Sequence, residues 1–205
     1  MSQVEILYSL NEKQKDEAIS ILYDAFELKM KHLYVFQENE EQGKRILREA
    51  IQFDQGIYAV LDGKVIGVAG LETSNGKNFE EFNLQMLQRE FSLTGAIFRW
   101  LALGIFKHYQ GNLDADTLHL DYLVTSAESR GKGVGTMLID EAKSIAKKRN
   151  LAYVMLEVVN TNPRAERLYT REGFQVVEDK TFGVFTTFTK RANFTSARVM
   201  EYLIP

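Results

Sequence analysis

Leu118–Asn150, LHLDYLVTSAESRGKGVGTMLIDEAKSIAKKRN, is the stretch on which the fold turns. An apolar, strand-like run leads into Ser129–Gly135, SRGKGVG, where three glycines and two cations sit within seven residues. An amphipathic run comes next. Met137, Leu138, Ala142, Ile145 and Ala146 fall on one side at helical spacing, with Asp140, Lys143, Lys147 and Lys148 mostly on the other. Strand, glycine turn and helix together make a natural anion site. The first helical amides have no partner inside the helix and point at whatever fills the turn. Glycine admits close backbone approach and positive φ, and Arg130 and Lys132 add charge. A pyrophosphate suits this geometry. Two familiar phosphate loops do not match: G-x-x-x-x-G-K-[ST] is absent, and G-x-G-x-x-G fails because the sixth positions from Gly131 and Gly133 are Thr136 and Leu138. On these residues alone, a glycine turn without a ligand stays open.

Working outward, a strand is expected around Val4–Ser9 and a helix over Glu12–Lys31, with Ala18, Ile21, Leu22, Ala25 and Phe26 at helical spacing and Asn11 as its N-cap. ENEEQGKRILREAIQ reads as a second helix, acidic first and basic later, as the macrodipole prefers. GIYAVL and KVIGVAGLE read as strands joined by Asp62-Gly63, a strong hairpin signal. From residue 73 to 116 the pattern loosens into a polar turn, TSNGKN, and two helical stretches, about 80–90 and 93–108. Asp116–Thr125 and YVMLEVV are strand-like, and PRAERLYTREGF is a short helix opened by Pro163 and stopped by Gly173. The tail is β-rich and ends in a strand at Arg198–Leu203.

The chain has 205 residues, which suits one domain, and 45% hydrophobic residues, enough for a substantial core. A net charge of −3 offers no general attraction to nucleic acid or anionic lipid. With no cysteine, disulfides, thiolate metal sites and cysteine nucleophiles are excluded. The polar opening, MSQVEILYSLNEKQKDE, does not read as a signal peptide, and a cytoplasmic location is expected. Phe91–Tyr109 is apolar, but Arg99 divides it into pieces too short to span a bilayer. A buried or half-buried helix is expected there.

The loop spacing R-x-x-G-x-G, made by Arg130, Gly133 and Gly135, resembles the acyl-CoA pyrophosphate loop of the GNAT acetyltransferase superfamily. Downstream, NTNPRAERLYTREGF is similar to the second family signature, N-x-x-A-x-x-L-Y-x-x-x-G-F, with Asn162, Ala165, Leu168, Tyr169, Gly173 and Phe174 in place. The family often has valine then proline before the loop, where this chain has Thr125 and Ala127. The resemblance implies an α/β fold: a mixed, mostly antiparallel central sheet with helices on both faces. One acetyltransferase domain over residues 1–205 is expected, and the loosened pattern at about 73–116 is expected as a helical insertion between the third and fourth strands, a segment long for the family.

The chemistry implied by the resemblance is that of an N-acetyltransferase moving acetyl from acetyl-CoA directly to a primary amine in a ternary complex, without a metal. A non-catalytic acyl-CoA-binding module of the same fold is the alternative. The resemblance gives the pyrophosphate to the amides of Arg130, Gly131, Lys132, Gly133, Val134, Gly135 and Thr136. It gives the pantetheine arm to the backbone of Leu123, Val124 and Thr125, as an added strand pairs with an edge. Asn162 is either a further cofactor contact or simply a helix cap. A base must deprotonate an ammonium whose pKa is near ~10. Glu157, whose LEV context resembles the placement of the base in ribosomal-protein alanine acetyltransferases, is the first choice; pairing with a lysine or arginine is its structural alternative. His119 and Asp121 are rivals that alternate on the strand, sharing one face with Leu123 and Thr125. Tyr169 matches the family's acid for the departing thiolate, its hydroxyl pKa taken near ~10. Partners are acetyl-CoA and an amine acceptor, with no nucleic acid and no membrane. The acceptor's identity, acetyl against longer acyl, and a homodimer are open.

Overall fold

The computed structural model describes residues 3–74, 78–110 and 113–205. Among them, seven strands form one sheet: β1 (Glu5–Leu7), β2 (Gly56–Leu61), β3 (Lys64–Glu72), β4 (Thr117–Thr125), β5 (Tyr153–Val159), β6 (Gln175–Thr181) and β7 (Ser196–Leu203). The order across the sheet is β1-β2-β3-β4-β5-β7-β6. Every neighbouring pair is antiparallel except β4 and β5, which run parallel. The Asp62-Gly63 hairpin forms as expected, both residues at positive φ, the geometry that matches strand twist.

Helices α1 (Glu12–Lys29), α2 (Glu40–Ala50) and α3 (Leu84–Glu90) cover one face with a core of Leu22, Ile46, Leu47, Met86 and Tyr122. Asn11 caps α1 and closes a reciprocal capping box with Gln14. The buried stripe of α1 is Ala18, Ile19, Leu22 and Tyr23, rotated from the expected one, so Ala25 is exposed. Beyond Lys29 the chain continues through one turn of π-helix, Met30–Tyr34.

The other face carries α5 (Val134–Lys148) and α6 (Pro163–Arg171). Leu138, Ile139, Ala142 and Ala146 of α5 are fully buried against Leu118, Leu120 and Leu156, each large side chain contributing about 1.5–3 kcal/mol of burial. Gly67 of β3 lets α5 approach closely: a Cβ there would stand 2.8 Å from Val134 Cγ1. Lys143 is half-buried rather than solvated. It donates to the Glu172 carbonyl at 2.8 Å, with its ammonium 4.2 Å from the Tyr202 ring centroid.

Between β3 and β4 lie α3 and α4 (Leu93–Gln110); Asn75–Lys77 of the expected polar turn fall outside the described residues. Phe79 is wholly buried against the glycine backbone of Gly56 and Gly70. Arg99, the charge that divides the apolar run, turns inward. Its guanidinium donates to the carbonyls of Val35 at 2.6 Å, Gly95 at 3.1 Å and Phe36 at 3.2 Å, and stacks 3.7 Å over the Phe91 ring. This clamp fixes α4 against the end of the π-helical turn. The outer side of α4 is more exposed than expected, with Leu93, Phe98, Leu101 and Ile105 all open. No helix among the described residues is long and apolar enough to cross a membrane. A short helix, α7 (Thr186–Arg191), lies between β6 and β7, where the β-rich tail gave no helical signal.

Candidate active site

The site begins where β4 and β5 part. They pair only over Thr117–His119 and Tyr153–Met155. Beyond that, β4 stays bonded to β3 as far as Thr125, and β5 to β7 as far as Val159. The facing edges of Leu123–Thr125 and Glu157–Val159 are left without each other. An extended polar chain fits such an opening as a strand fits a sheet edge.

At the end of β4 the backbone turns through Ala127–Ser129 into the glycine loop. Gly131 and Gly133 both adopt left-handed φ, +79° and +83°, conformations that strain any residue with a Cβ. α5 then opens at Val134 with no side-chain cap. The amides of Val134, Gly135 and Thr136 therefore face the turn unclaimed by the helix. Open space lies over Gly133, and a Cβ on Gly131 would come 3.8 Å from Arg164 Nη2. Unclaimed amides, two left-handed glycines and the cations Arg130, Lys132 and Arg164 suit the diphosphate of a CoA thioester. Thr125, Val124 and Arg130 also line a small hollow of about 300 Å³ on the α1 side. Asn162 is the cap of α6: its side-chain oxygen accepts from the Ala165 amide at 3.1 Å.

On the α1–α4 side of the parting strands lies a cavity of about 1090 Å³. His119, Asp121 and Glu157 all line it, so the three candidate bases share one chamber. Their expected face differs from the observed one. The β3–β4 register shifts so that Gly70 faces Tyr122 and Leu71 faces Leu120, which makes Asp121 the extra residue of a β-bulge. The bulge reverses the alternation. Tyr122 and Val124 pack with the α1 core, while Leu123 packs toward α5. His119 and Asp121 thus share their side with Tyr122, not with Leu123.

Within the chamber Glu157 receives Lys180 Nζ at 2.8 Å, so its ion-paired reading is realised. His119 Nδ1 lies 3.5 Å from Glu72 Oε2. Burial acts to lower the imidazole pKa, but the hydrogen bond the ring donates to Glu72 and the charges of Asp121, Glu72 and Glu157 together carry it above its usual value. Asp121 opens onto the cavity. Loss of surrounding water, then the Glu72 charge, pushes its carboxyl up to about 6. Tyr169 sits on α6, only 7% exposed, in the α5-side core. Burial pushes its hydroxyl up to about 12, well above the value taken from sequence.

Tyr122, Tyr34, Glu80 and Lys29 carried no sequence signal as site residues. Tyr122 donates its hydroxyl to Glu80 Oε2 at 2.5 Å, and Tyr34 lines the same chamber. Glu80 is held up to about 8, first by burial and then by the Asp121 charge. Burial also lowers Lys29, on the same wall. Trp100, Leu101 and Phe106 of α4 form part of the outer wall.

The model of the acetyltransferase (GNAT) family matches residues 20–174. No curated protein matches the sequence. Among solved structures, an N-acetyltransferase from Staphylococcus aureus Mu50 superposes with a TM-score of 0.62 at 14% identity, covering 100% of both chains. A GCN5-related N-acetyltransferase from Kribbella flavida gives 0.60 at 16% identity, covering 98% of this chain and 97% of the other. Nourseothricin acetyltransferase gives 0.50 at 20% identity, covering 73% of this chain and 65% of that one.

Proposed function

The chain belongs to the acetyltransferase (GNAT) family and is an acyltransferase, and from that premise we propose that it acetylates a primary amine directly within a ternary complex. The observation that carries this reading is the parting of β4 and β5, with the uncapped glycine loop at one end and a chamber of carboxylates at the other. The unpaired edge of Leu123–Thr125 would hold the pantetheine arm, and the amides of Arg130–Thr136 the diphosphate. Acetyl-CoA supplies the acetyl group as an activated thioester.

Asp121 is the better base. A base works best with a pKa near the operating pH, and a carboxyl at about 6 that opens onto the cavity meets that condition. Glu157 is neutralised by Lys180, and His119 is engaged with Glu72. Asp121 takes a proton from the ammonium, directly or through water, and the free amine attacks the thioester carbonyl. The carbon–sulfur bond breaks, Tyr169 donates a hydrogen bond to the departing thiolate, and the proton shed by the new amide nitrogen passes through water to that sulfur, so amide and thiol leave neutral. Full proton transfer from Tyr169 is the weaker part of that role. A hydroxyl at about 12 lies far above a thiol near ~8.5.

Thiol release from acetyl-CoA across a panel of primary amines tests the reading. Asp121→Asn should cut kcat/KM by ~100-fold or more while calorimetry shows acetyl-CoA binding retained. Retained activity in Asp121→Asn with loss in Glu157→Gln would move the base to β5. Acetyl-CoA binding with no thiol release from any amine would leave the binding-module alternative.

A further inference from the structure

The outer side of α4 is an apolar surface left open to solvent. Leu93, Ile97, Phe98, Leu101 and Ile105 recur there at helical spacing, and Phe98, Leu93 and Ile105 are 63%, 61% and 60% exposed. Only Thr94, Gly104 and His108 come between them. The surface runs on past the helix. Phe36, held at a left-handed φ of +50°, sets its ring 6.4 Å from Phe98 and 5.8 Å from Phe188 of α7, between centroids. Trp100, Leu101 and Ile105 also line the chamber, but Leu93, Ile97, Phe98 and Phe188 do not, so the patch extends well beyond the chamber's outer wall. Single exposed apolar side chains are ordinary; a contiguous patch of them marks a contact surface.

Charge decides what the patch contacts. The chain carries 28 acidic residues, yet 30–36, 91–110 and 182–191, the three segments that form the patch, contain none. Their outward cations are Lys31, Lys107, Lys190 and Arg191, all exposed and none in an ion pair among the described residues. The net charge of −3, from which no membrane contact is expected, conceals a basic, apolar face. We propose that this face of α4, the π-helical turn and α7 seats the protein on an anionic phospholipid bilayer. Ile97, Phe98, Leu101 and Phe188 enter the acyl boundary, and Lys31, Lys107, Lys190 and Arg191 meet the headgroup phosphates. A helix of this kind lies in the interface plane without crossing it, while long cationic side chains reach the phosphates. Other occupants fit less well. A second copy paired through this face brings the same cations against themselves, with no acid in the three segments to meet them. A folded protein partner is specified by hydrogen bonds, about one per 100–200 Å² of interface, and the outer side of α4 offers only Thr94 and His108. A fluid bilayer needs no such directional partners. The proposal does not depend on the transferase reading.

The test is co-sedimentation of the full chain with vesicles of phosphatidylcholine, alone or with about 30% phosphatidylserine. Anionic vesicles should bind it ~10-fold or more tighter than neutral ones, and raising salt from about 0.1 M to 0.5 M should release it. Trp100 is the chain's one tryptophan and lies 45% exposed on α4, so its emission should move to the blue on binding. Lys190→Gln with Arg191→Gln should weaken binding by about 25-fold, ~5-fold for each cation. Ile97→Ser with Phe98→Ser should weaken it by about 10-fold or more. Both pairs lie outside the chamber, and a melting curve checks that each variant folds. No pelleting with anionic vesicles would overturn the inference. So would equal binding to neutral vesicles, pelleting that both variants retain in full, or pelleting without a Trp100 shift. A dimer in sedimentation equilibrium that Ile97→Ser with Phe98→Ser dissolves, with no vesicle binding, would assign the face to a second copy and overturn the inference as well.

Discussion

Replacing Tyr169 by phenylalanine removes one oxygen and leaves the ring in its core beside Phe174, 6.1 Å away between centroids. The size of the effect is set by the hydroxyl's surroundings. At about 12 it lies roughly 3.5 pH units above a thiol near ~8.5, so handing over its proton is uphill by about 5 kcal/mol. A hydrogen bond to the charged sulfur, formed as the carbon–sulfur bond breaks, contributes about 1.5–3 kcal/mol. That converts to a loss in kcat of about 10- to 150-fold. The Kd for acetyl-CoA should stay within about 3-fold, and stability within about 1 kcal/mol. Stopped-flow thiol release and a calorimetric titration of the variant measure both quantities. The same surroundings predict the pH profile. A hydroxyl raised to about 12 stays protonated at all working pH values, so the wild-type rate should show no tyrosine-linked fall up to pH ~10. A kcat within 2-fold of wild type would refute the hydrogen-bond role. A steep alkaline fall centred below pH 10 that disappears in the variant would refute the effect assigned to burial.

Glu80 ties stability to pH. Its carboxyl is raised to about 8 in the folded chain against ~4.3 unfolded, so the folded state holds the proton more tightly. Stability is therefore fully present below about pH 4 and lost as pH rises toward 8. Glu80→Gln should be more stable than wild type at pH 8, on the order of 2 kcal/mol, and equal near pH 4; urea melts at both values check the sign. Gly133→Ala forces a left-handed φ of +83° on a residue with a Cβ, at about 1–2 kcal/mol. It should lower Tm and shrink the Tm rise that acetyl-CoA gives, both read by thermal shift. Arg99→Met strands the carbonyls of Val35 and Phe36. It should cost about 2–3 kcal/mol in denaturant unfolding, and unchanged stability would show that α4 does not depend on the clamp.

Much of the fold was legible because local patterns and tertiary demands agree. GIYAVL, KVIGVAGLE and YVMLEVV are strands end to end, since runs of branched and small apolar residues bounded by turn signals have few other uses. The Asn11 cap, the Asp62-Gly63 hairpin and the Pro163 helix start also form where expected, each set by chemistry within four residues. The bulge at Asp121 was not legible. LHLDYLV alternates cleanly, and only pairing with β3 inserts the extra residue that turns Tyr122 toward the α1 side. The left-handed turn of the glycine loop and the helix start behind it were readable from their spacing. Glu72 and Glu80 were not: one ends a strand whose partner is distant in sequence, and the other lies in the irregular segment after it. The sequence could not tell whether Glu157 stood alone, because Lys180, its partner, comes 23 residues later on another strand.

The short parallel contact between β4 and β5 gives the protein an internal seam. Most open sheets carry unpaired backbone only at their outermost strands, where charges or loops guard it. Here two further borders face each other across the middle, and β1–β4 are stitched to β5–β7–β6 by three rungs. Whatever extended molecule lies between those borders also acts as a missing strand, so occupancy and cohesion of the two half-sheets rise together.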